Sequence, residues 1–431
     1  MTKRVYLDYA ATTPTDSEVV RVMQPFLTEE FGNPSGLYEE GRKVKQQILD
    51  ARGRIANLIG ARSTEEIIFT SGGTESDALA LLGIMRKHKG HLIVGSTEHH
   101  AVLYNAELLA KEGFDVDYAP VDSAGFIDID ALASLIRPDT TLISIMYVNN
   151  EVGTIAPMRK IKKLISDVRA QRKEDGNEAP IFWHTDACQA AAYAGINVAA
   201  LGVDLLTLNG SKIYGPKGIG ILYVRRGVAI DPLWRGGGQE RKLRSGTENV
   251  AGIVGLARAI EIANELREKE VERISELRDK LLTGIVKLIP KVVINGPTKE
   301  AGEEITGTQD RIANNVNVSI LDIEGEALLL YLDQSGIAAS TGSACDSVTL
   351  DPSHVILALG KPYEFAHASM RFTLGRETTK EDIEYVLKVL PGIVETLRKV
   401  SPLNLDIDAT EMSQKKAFIA DGLPHWERNK K

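Results

Sequence analysis

The chain of 431 residues has only two cysteines, Cys188 and Cys345. A disulfide framework is therefore not what holds it together, a reducing compartment is the expected setting, and each thiol needs its own explanation. No apolar run approaches the roughly 20 residues that span a bilayer. The opening residues, MTKRVYLDYAATTPTD, break their apolar positions with Asp8, Thr12, Thr13 and Pro14, so the continuous apolar stretch of a secretory signal is missing. Positive charge is not in excess either. A net charge of -8 and a pI near 5.7 argue against broad attraction to nucleic acid or a membrane surface. Small molecules and proteins are the expected partners, and the cytoplasm the expected location. What is there is ordinary for a globular protein, 43% hydrophobic and 26% charged residues, with enough length for two domains.

From Ser63 to Val224 short β-branched runs (EIIFT, HLIVGS, TLISIMYV, PIFWHTD, DLLTL, GIGILYV) alternate with amphipathic stretches such as TESDALALLGIMRKHK. This alternation predicts an α/β domain with a mainly parallel sheet. Thr74, His99, Asn150, Asp186 and Lys212 each follow one of these runs, where open α/β sheets bind ligands. Asn249 to Ile289 has long helical periodicity and is expected to bridge two domains. Beyond Pro290, NNVNVSIL, EGEALLLYLDQSG, MRFTLG and TTKEDIEYVLKVLPGIVETLRKV read as a smaller α+β domain. QRKEDGNEAP and TKEAGEEITGTQDR read as surface loops.

Lys212, in NGSKIYGPKGIGILYV, lies among small residues where little bulk blocks a planar ligand. Such an amine can form a Schiff base, with pyridoxal phosphate the usual carbonyl partner. Asp186, ending the apolar run IFWHTD, is placed to pair with a protonated pyridine nitrogen. Composition alone favours a surface lysine in a turn, and GPKG also reads as a glycine-rich phosphate cradle, although P-loop spacing is absent. At SGGTES, Gly73 and Thr74 open a helix whose free N–H groups and dipole favour an anion; an ordinary helix start at Thr74 fits the same residues.

Nine segments occur together and in order: LDYAATTP, SGGTES, TEHHAV, VNNEVG, HTDACQA, NGSKIYGPKG, RSGTENV, STGSACDS and MRFTLGR. From about Leu7 to about Leu403 the chain resembles the cysteine desulfurases, the NifS and IscS group of pyridoxal phosphate enzymes. The resemblance implies a fold type I architecture of the class V aminotransferase kind, working as a homodimer. The expected organisation is an N-terminal segment, residues 1–15, packing with the small domain. A large cofactor-binding α/β domain follows over 16–255. Residues 256–403 form a bridging helix and a small α+β domain carrying the cysteine loop, and 404–431 a C-terminal tail.

By the same resemblance Lys212 matches the Schiff-base lysine and Asp186 the partner of the ring nitrogen. Gln189 and Asn150 match side chains that hydrogen-bond the ring hydroxyl, Asn150 also contacting substrate, and His99 matches a histidine stacked on the ring that moves protons. Gly73, Thr74, Asn209 and Ser211 would meet the phosphate, with Thr247 reaching it from the other subunit. The family often has Ser-x-His before the lysine, whereas this chain has Asn209, Gly210 and Ser211. Arg371 would clamp the substrate carboxylate through its paired donors. Cys188 reads as a small packing residue. Cys345 matches the thiol that takes up sulfur as a persulfide, while its neighbour Asp346 disfavours a thiolate.

The activity implied is conversion of L-cysteine to L-alanine, with the sulfur passed from Cys345 to an acceptor such as an iron-sulfur scaffold or tRNA-thiolation protein. No intrinsic metal is expected, beyond transient ligation of a scaffold's cluster by Cys345, and no direct nucleic acid. A selenocysteine lyase, a class V aminotransferase and a non-catalytic relative that keeps the fold are the alternatives. The tail shows no clear match to the family's scaffold-docking terminus.

Overall fold

The computed structural model describes residues 4–301, 304–306, 310–341, 352–403 and 405. Cys345 and nearly all of the tail expected at 404–431 lie outside the described residues.

The N-terminal strand β1 (Val5–Tyr6) comes first. Then follow β2 (Ile67–Thr70), β3 (His91–Gly95), β4 (Val116–Ala119), β5 (Thr140–Ser144), β6 (Phe182–Asp186), β7 (Leu205–Asn209) and β8 (Gly220–Val224). These seven form one sheet in the order β2-β8-β7-β6-β5-β3-β4. β8 is antiparallel to both neighbours, and every other pairing is parallel. The inner strands are buried on both faces, which is why they read as near-continuous apolar runs. Successive residues alternate between two cores, Ile143, Trp183 and Leu206 on one face and Leu142, Phe182 and Leu205 on the other. The second face is covered by the helices Gly73–His88 and His100–Lys111, the first by Glu39–Leu58 and Met158–Glu174.

The helix Val250–Leu288, 39 residues long, begins at Asn249, whose side chain accepts from Gly252 N–H at 3.0 Å. Its first half gives Ile253, Leu256 and Ile260 to the large core. Its second half gives Ile274, Leu281 and Ile285 to a separate core. That second core fills the space beside β9 (Val292–Ile294), which precedes a hairpin of β10 (Lys299–Ala301) and β11 (Glu304–Thr306). β12 (Asn315–Ile320), β13 (Ile337–Ala338) and β14 (Ser369–Thr373) complete the strands. β12 pairs antiparallel with β9 and β14, and the helix Lys380–Val400 buries Ile383, Val386, Leu390 and Val394 in the same core. β1 pairs in parallel with β13, so Val5 and Leu7 belong to this core too.

Four details differ from the sequence expectations. β4 was not anticipated: VDYA lies at a sheet edge, half-buried, and carries Asp117 where a buried strand would be apolar. TLISIMYV is a strand only through Ser144, after which the chain turns toward the cavity described below. QRKEDGNEAP is not all loop, since the helix Met158–Glu174 runs through its first four residues. TKEAGEEITGTQDR contains the β10–β11 hairpin.

A buried ion pair fixes the segment after β8. Arg52 donates to both carboxylate oxygens of Glu240, at 2.8 and 2.5 Å, and Glu240 Oε2 accepts from Phe69 N–H at 2.9 Å. Glu240, Arg241 and Lys242 all have positive φ, 43°, 57° and 67°. Three consecutive left-handed side-chain-bearing residues are strained, and the Arg52 pair supplies an anchor that holds them. Among the described residues no helix is long and apolar enough to cross a membrane.

Candidate active site

Asp186 ends β6, and His99, Asn150 and Lys212 follow β3, β5 and β7; the four strands are adjacent, and their carboxyl ends point the same way. They meet in a cavity of about 390 Å³ that is also lined by Gly73, Thr74, Gln189, Asn209 and Arg371. Nine residues from distant motifs thus share one space. Ser211 and Thr247 do not line it. The Ser211 hydroxyl donates to Asn209 Oδ1 at 3.1 Å, and Thr247 is exposed.

Lys212 follows β7 in a short 3-10 turn, with Asn209 Oδ1 accepting from Ser211 N–H at its start. Its Nζ donates to the carbonyls of Ala10 at 2.8 Å and Ala11 at 2.6 Å. Gln189 Nε2 donates to the same Ala10 carbonyl at 2.9 Å. The N-terminal segment thus closes one side of the cavity, and Thr13 Oγ1 ties it to Ser211 O at 3.0 Å.

Asp186 is almost fully buried, and its Oδ1 accepts from Cys188 N–H at 2.8 Å. Around it lies a buried polar group of unusual protonation. His184 bonds Ser144 Oγ through Nδ1 at 2.8 Å and Thr207 Oγ1 through Nε2 at 3.1 Å, and burial lowers its pKa to about 3. Burial, then the nearby Asp186, raises Asp77 well above the usual carboxylate range. Cys188 is buried, and burial followed by Asp186 pushes its thiol up, which makes it a poor nucleophile.

His99 caps the helix His100–Lys111, its Nδ1 accepting from Ala101 N–H at 3.0 Å. An accepting Nδ1 places the ring proton on Nε2 in the neutral imidazole. Burial lowers its pKa, and Lys212, His100 and Arg371 act in the same direction against Asp186. Arg371, 5% exposed, donates from Nη1 to Asn150 O at 2.9 Å and from Nη2 to Asp8 Oδ1 at 3.0 Å. Its Nε and the Asn150 Oδ1 are buried without a hydrogen-bond partner among the described residues. Unpaired buried polar atoms on a cavity wall are costly unless a ligand meets them.

These residues fit pyridoxal phosphate. The helix Gly73–His88 turns its N-terminus to the cavity, and a side chain at Gly73 would lie 3.0 Å from Cys188 Sγ and 3.5 Å from Asn209 Nδ2. That close approach leaves the first-turn N–H groups open to an anion, with the Asn209 amide beside them. Asp186, Gln189, Asn150 and Lys212 offer donors and acceptors of the kinds a hydroxypyridine aldehyde requires.

Several lining residues were missed from sequence, among them Asp8, Asp77, Glu151 and His354. Asp8 and Glu151 sit inside the motifs LDYAATTP and VNNEVG, so their segments carried a signal even though the residues did not. His354 follows the STGSACDS segment, with Nε2 2.9 Å from Glu98 O. Among the described residues no group of three or more His, Cys, Asp or Glu is arranged to hold a metal ion.

Residues 5–386 match the aminotransferase class-V family. The chain is 49% identical over 405 residues to cysteine desulfurase IscS of Dictyoglomus turgidum, covering 93% of this chain and 97% of that protein. It is 43% identical over 400 residues to cysteine desulfurase NifS of Azotobacter vinelandii, covering 92% and 94%. Among solved structures, a NifS-like protein superposes with a TM-score of 0.81 at 35% identity, covering 92% of this chain and 100% of that one. SspA in complex with cysteine gives 0.70 at 33% identity, covering 86% and 99%. The mainly parallel seven-stranded sheet with its smaller α+β unit is the fold type I architecture. With nearly the whole length matched and the cavity assembled from the same motifs, the chain belongs to the aminotransferase class-V family, among the cysteine desulfurases.

Proposed function

We propose that the chain uses pyridoxal phosphate to convert L-cysteine to L-alanine, leaving the sulfur as a persulfide on Cys345 for transfer to an acceptor protein in iron-sulfur cluster assembly or tRNA thiolation. The observation that carries this reading is the convergence of Lys212, Asp186 and Arg371 on one cavity from β7, β6 and β14. The cysteine desulfurase relatives support it. Pyridoxal phosphate, when bound, supplies an aldehyde that an amine can hold covalently and a ring that accepts an electron pair.

Lys212 would hold the cofactor, and its amine, once released, would move the proton of the substrate α-carbon. Asp186 would pair with the ring nitrogen. Gly73, Thr74 and Asn209 would hold the phosphate, with Ser211 bracing the Asn209 side chain, joined by Thr247 of a second copy in a homodimer. His99, neutral with its proton on Nε2, donates to the cavity. Arg371 would receive the substrate carboxylate, using the unpaired Nε beside Asn150. Cys345 would attack the substrate sulfur as a thiolate: a sulfur–sulfur bond forms, the carbon–sulfur bond breaks, and the carbon takes a proton to become the methyl group of alanine. Residues 16–255 would act as the large domain and 256–403 as the small one, in the cytoplasm.

The experiment is a comparison of alanine and sulfide formed from cysteine by the parent, Lys212→Ala and Cys345→Ala proteins, with mass spectrometry of the parent. Loss of alanine in Lys212→Ala, loss of sulfide in Cys345→Ala and a persulfide on Cys345 are expected. Undiminished sulfide from Cys345→Ala, or a persulfide on Cys188, would overturn the assignment.

A further inference from the structure

Glu151 is a buried acid, 3% exposed, that lines the cavity and that no step above uses. Its backbone is held by three carboxamides. The N–H donates to Asn149 Oδ1 at 2.9 Å, and the carbonyl accepts from Asn315 Nδ2 at 2.9 Å and Asn317 Nδ2 at 3.0 Å. Its Oε2 accepts from the Ser353 hydroxyl at 2.5 Å, and Ser353 caps the helix His354–Ala358. The preceding residue, Asn150, gives its carbonyl to Arg371 Nη1. Glu151 is therefore fixed one residue from the arginine's acceptor.

Burial pushes the Glu151 pKa up to about 7, with the Ser353 hydroxyl and then the Arg371 charge acting to lower it. The other charged or titratable groups on the cavity wall are Asp8 from the N-terminal segment, His99 and His100 at the start of one helix, and His354 on another. Asp77, Asp186, Cys188 and Lys212 line it as well. Arg371 has one positive charge, and Asp8 already pairs with it at 3.0 Å. A ligand carboxylate on the same guanidinium adds a second negative charge, and an ionised Glu151 would add a third. Glu151 already feels the Arg371 charge, so a carboxylate that neutralises that charge removes an influence favouring the ionised form.

We propose that Glu151 is a positioning residue of the substrate clamp, holding a proton while an amino-acid carboxylate sits on Arg371, so that carboxylate binding is linked to proton uptake at Glu151. This rests on reading Arg371 as the carboxylate clamp. The sign follows from linkage. Below the pKa of the free enzyme Glu151 already carries its proton and binding is insensitive to pH. Above it, binding draws a proton from water, and affinity falls as pH rises until the pKa of the complex is passed.

The test uses the pyridoxal phosphate-loaded enzyme and L-alanine, which has the amine and carboxylate of cysteine without the thiol. Calorimetric titration near pH 7.5 in two buffers of different ionisation enthalpy counts the protons taken up. The parent is expected to take up more protons per alanine than Glu151→Gln, and its affinity to fall about three- to tenfold more between about pH 6.5 and 8.5. Equal proton counts and parallel pH profiles would overturn the inference. Ser353→Ala removes a bond that favours ionised Glu151, so the fall in affinity should move to higher pH; an unmoved profile counts against Glu151 even where Glu151→Gln is unstable. Arg371→Gln separates the two readings. Unchanged alanine affinity in that variant overturns the clamp itself, whereas weakened affinity together with a Glu151→Gln proton count equal to the parent's overturns only the role of Glu151.

Discussion

Asp8 and Arg371 are 363 positions apart in the chain, and their charged groups meet at 3.0 Å inside the active-site cavity. Asp8 is the only carboxylate in a hydrogen bond to this guanidinium among the described residues. Asp8→Ala therefore leaves a buried arginine held by the Asn150 carbonyl alone, at a cost of about 3 kcal/mol in folding stability. Denaturant unfolding measures it, and Asp8→Asn, which retains an acceptor, should lose less. A rise in KM for cysteine should accompany the loss, because Arg371, the proposed carboxylate clamp, is no longer oriented.

Gly73 leaves room where a side chain would lie 3.0 Å from Cys188 Sγ. Gly73→Ala should weaken retention of pyridoxal phosphate about tenfold through overpacking at the helix start. Adding Cys188→Ala removes the obstructing sulfur and should restore most of it. Absorbance of bound cofactor after dialysis distinguishes the two proteins.

His184 should make the protein acid-sensitive. Its folded pKa of about 3 lies below that of the unfolded chain, about 6.5. The stability that neutral His184 contributes is present above about pH 6.5 and is lost as pH falls toward 3, because the unfolded chain then binds the extra proton. His184→Asn should flatten the decline in urea midpoint between about pH 7 and 4. Asp77, whose pKa is raised, acts oppositely: its protonated form favours the fold at low pH, so Asp77→Asn should leave a steeper relative decline on raising acidity.

The Arg52–Glu240 pair is buried and bidentate, and it anchors the left-handed run that begins at Glu240. Arg52→Ala strands Glu240 without its partner and should cost about 3–5 kcal/mol. Glu240→Gln keeps the Phe69 contact and should cost less, which thermal unfolding of both variants would show.

The inner strands and the long helix were legible because burial on both faces, or along one stripe, writes a continuous or periodic apolar pattern. β4 was not, since an edge strand tolerates Asp117. The site divided in the same way. Lys212, Asp186 and His99 stand in short motifs at strand ends, where chemistry and position coincide. Asp8, Asp77, Glu151 and His354 acquire meaning only from partners elsewhere in the chain. Glu151 meets Ser353 across 202 positions, and no local pattern records such a meeting. Nor did sequence show that the Ser211 hydroxyl turns to Asn209 rather than to the cavity.

The N-terminal segment has a consequence for the order in which the protein becomes an enzyme. Ala10 and Ala11, which hold the Lys212 amine, are made first, yet their segment is fastened by β13 and by Thr373, which are made late. A growing chain that has released Lys212 has the ties of this segment to Ser211 and Gln189 but lacks those to β13 and Thr373, and lacks Arg371. The large sheet can fold on the ribosome as a unit, but Lys212 and Arg371 come together only when nearly the whole chain has emerged. The complete cavity is thus a late product of synthesis, because one of its walls comes from β14.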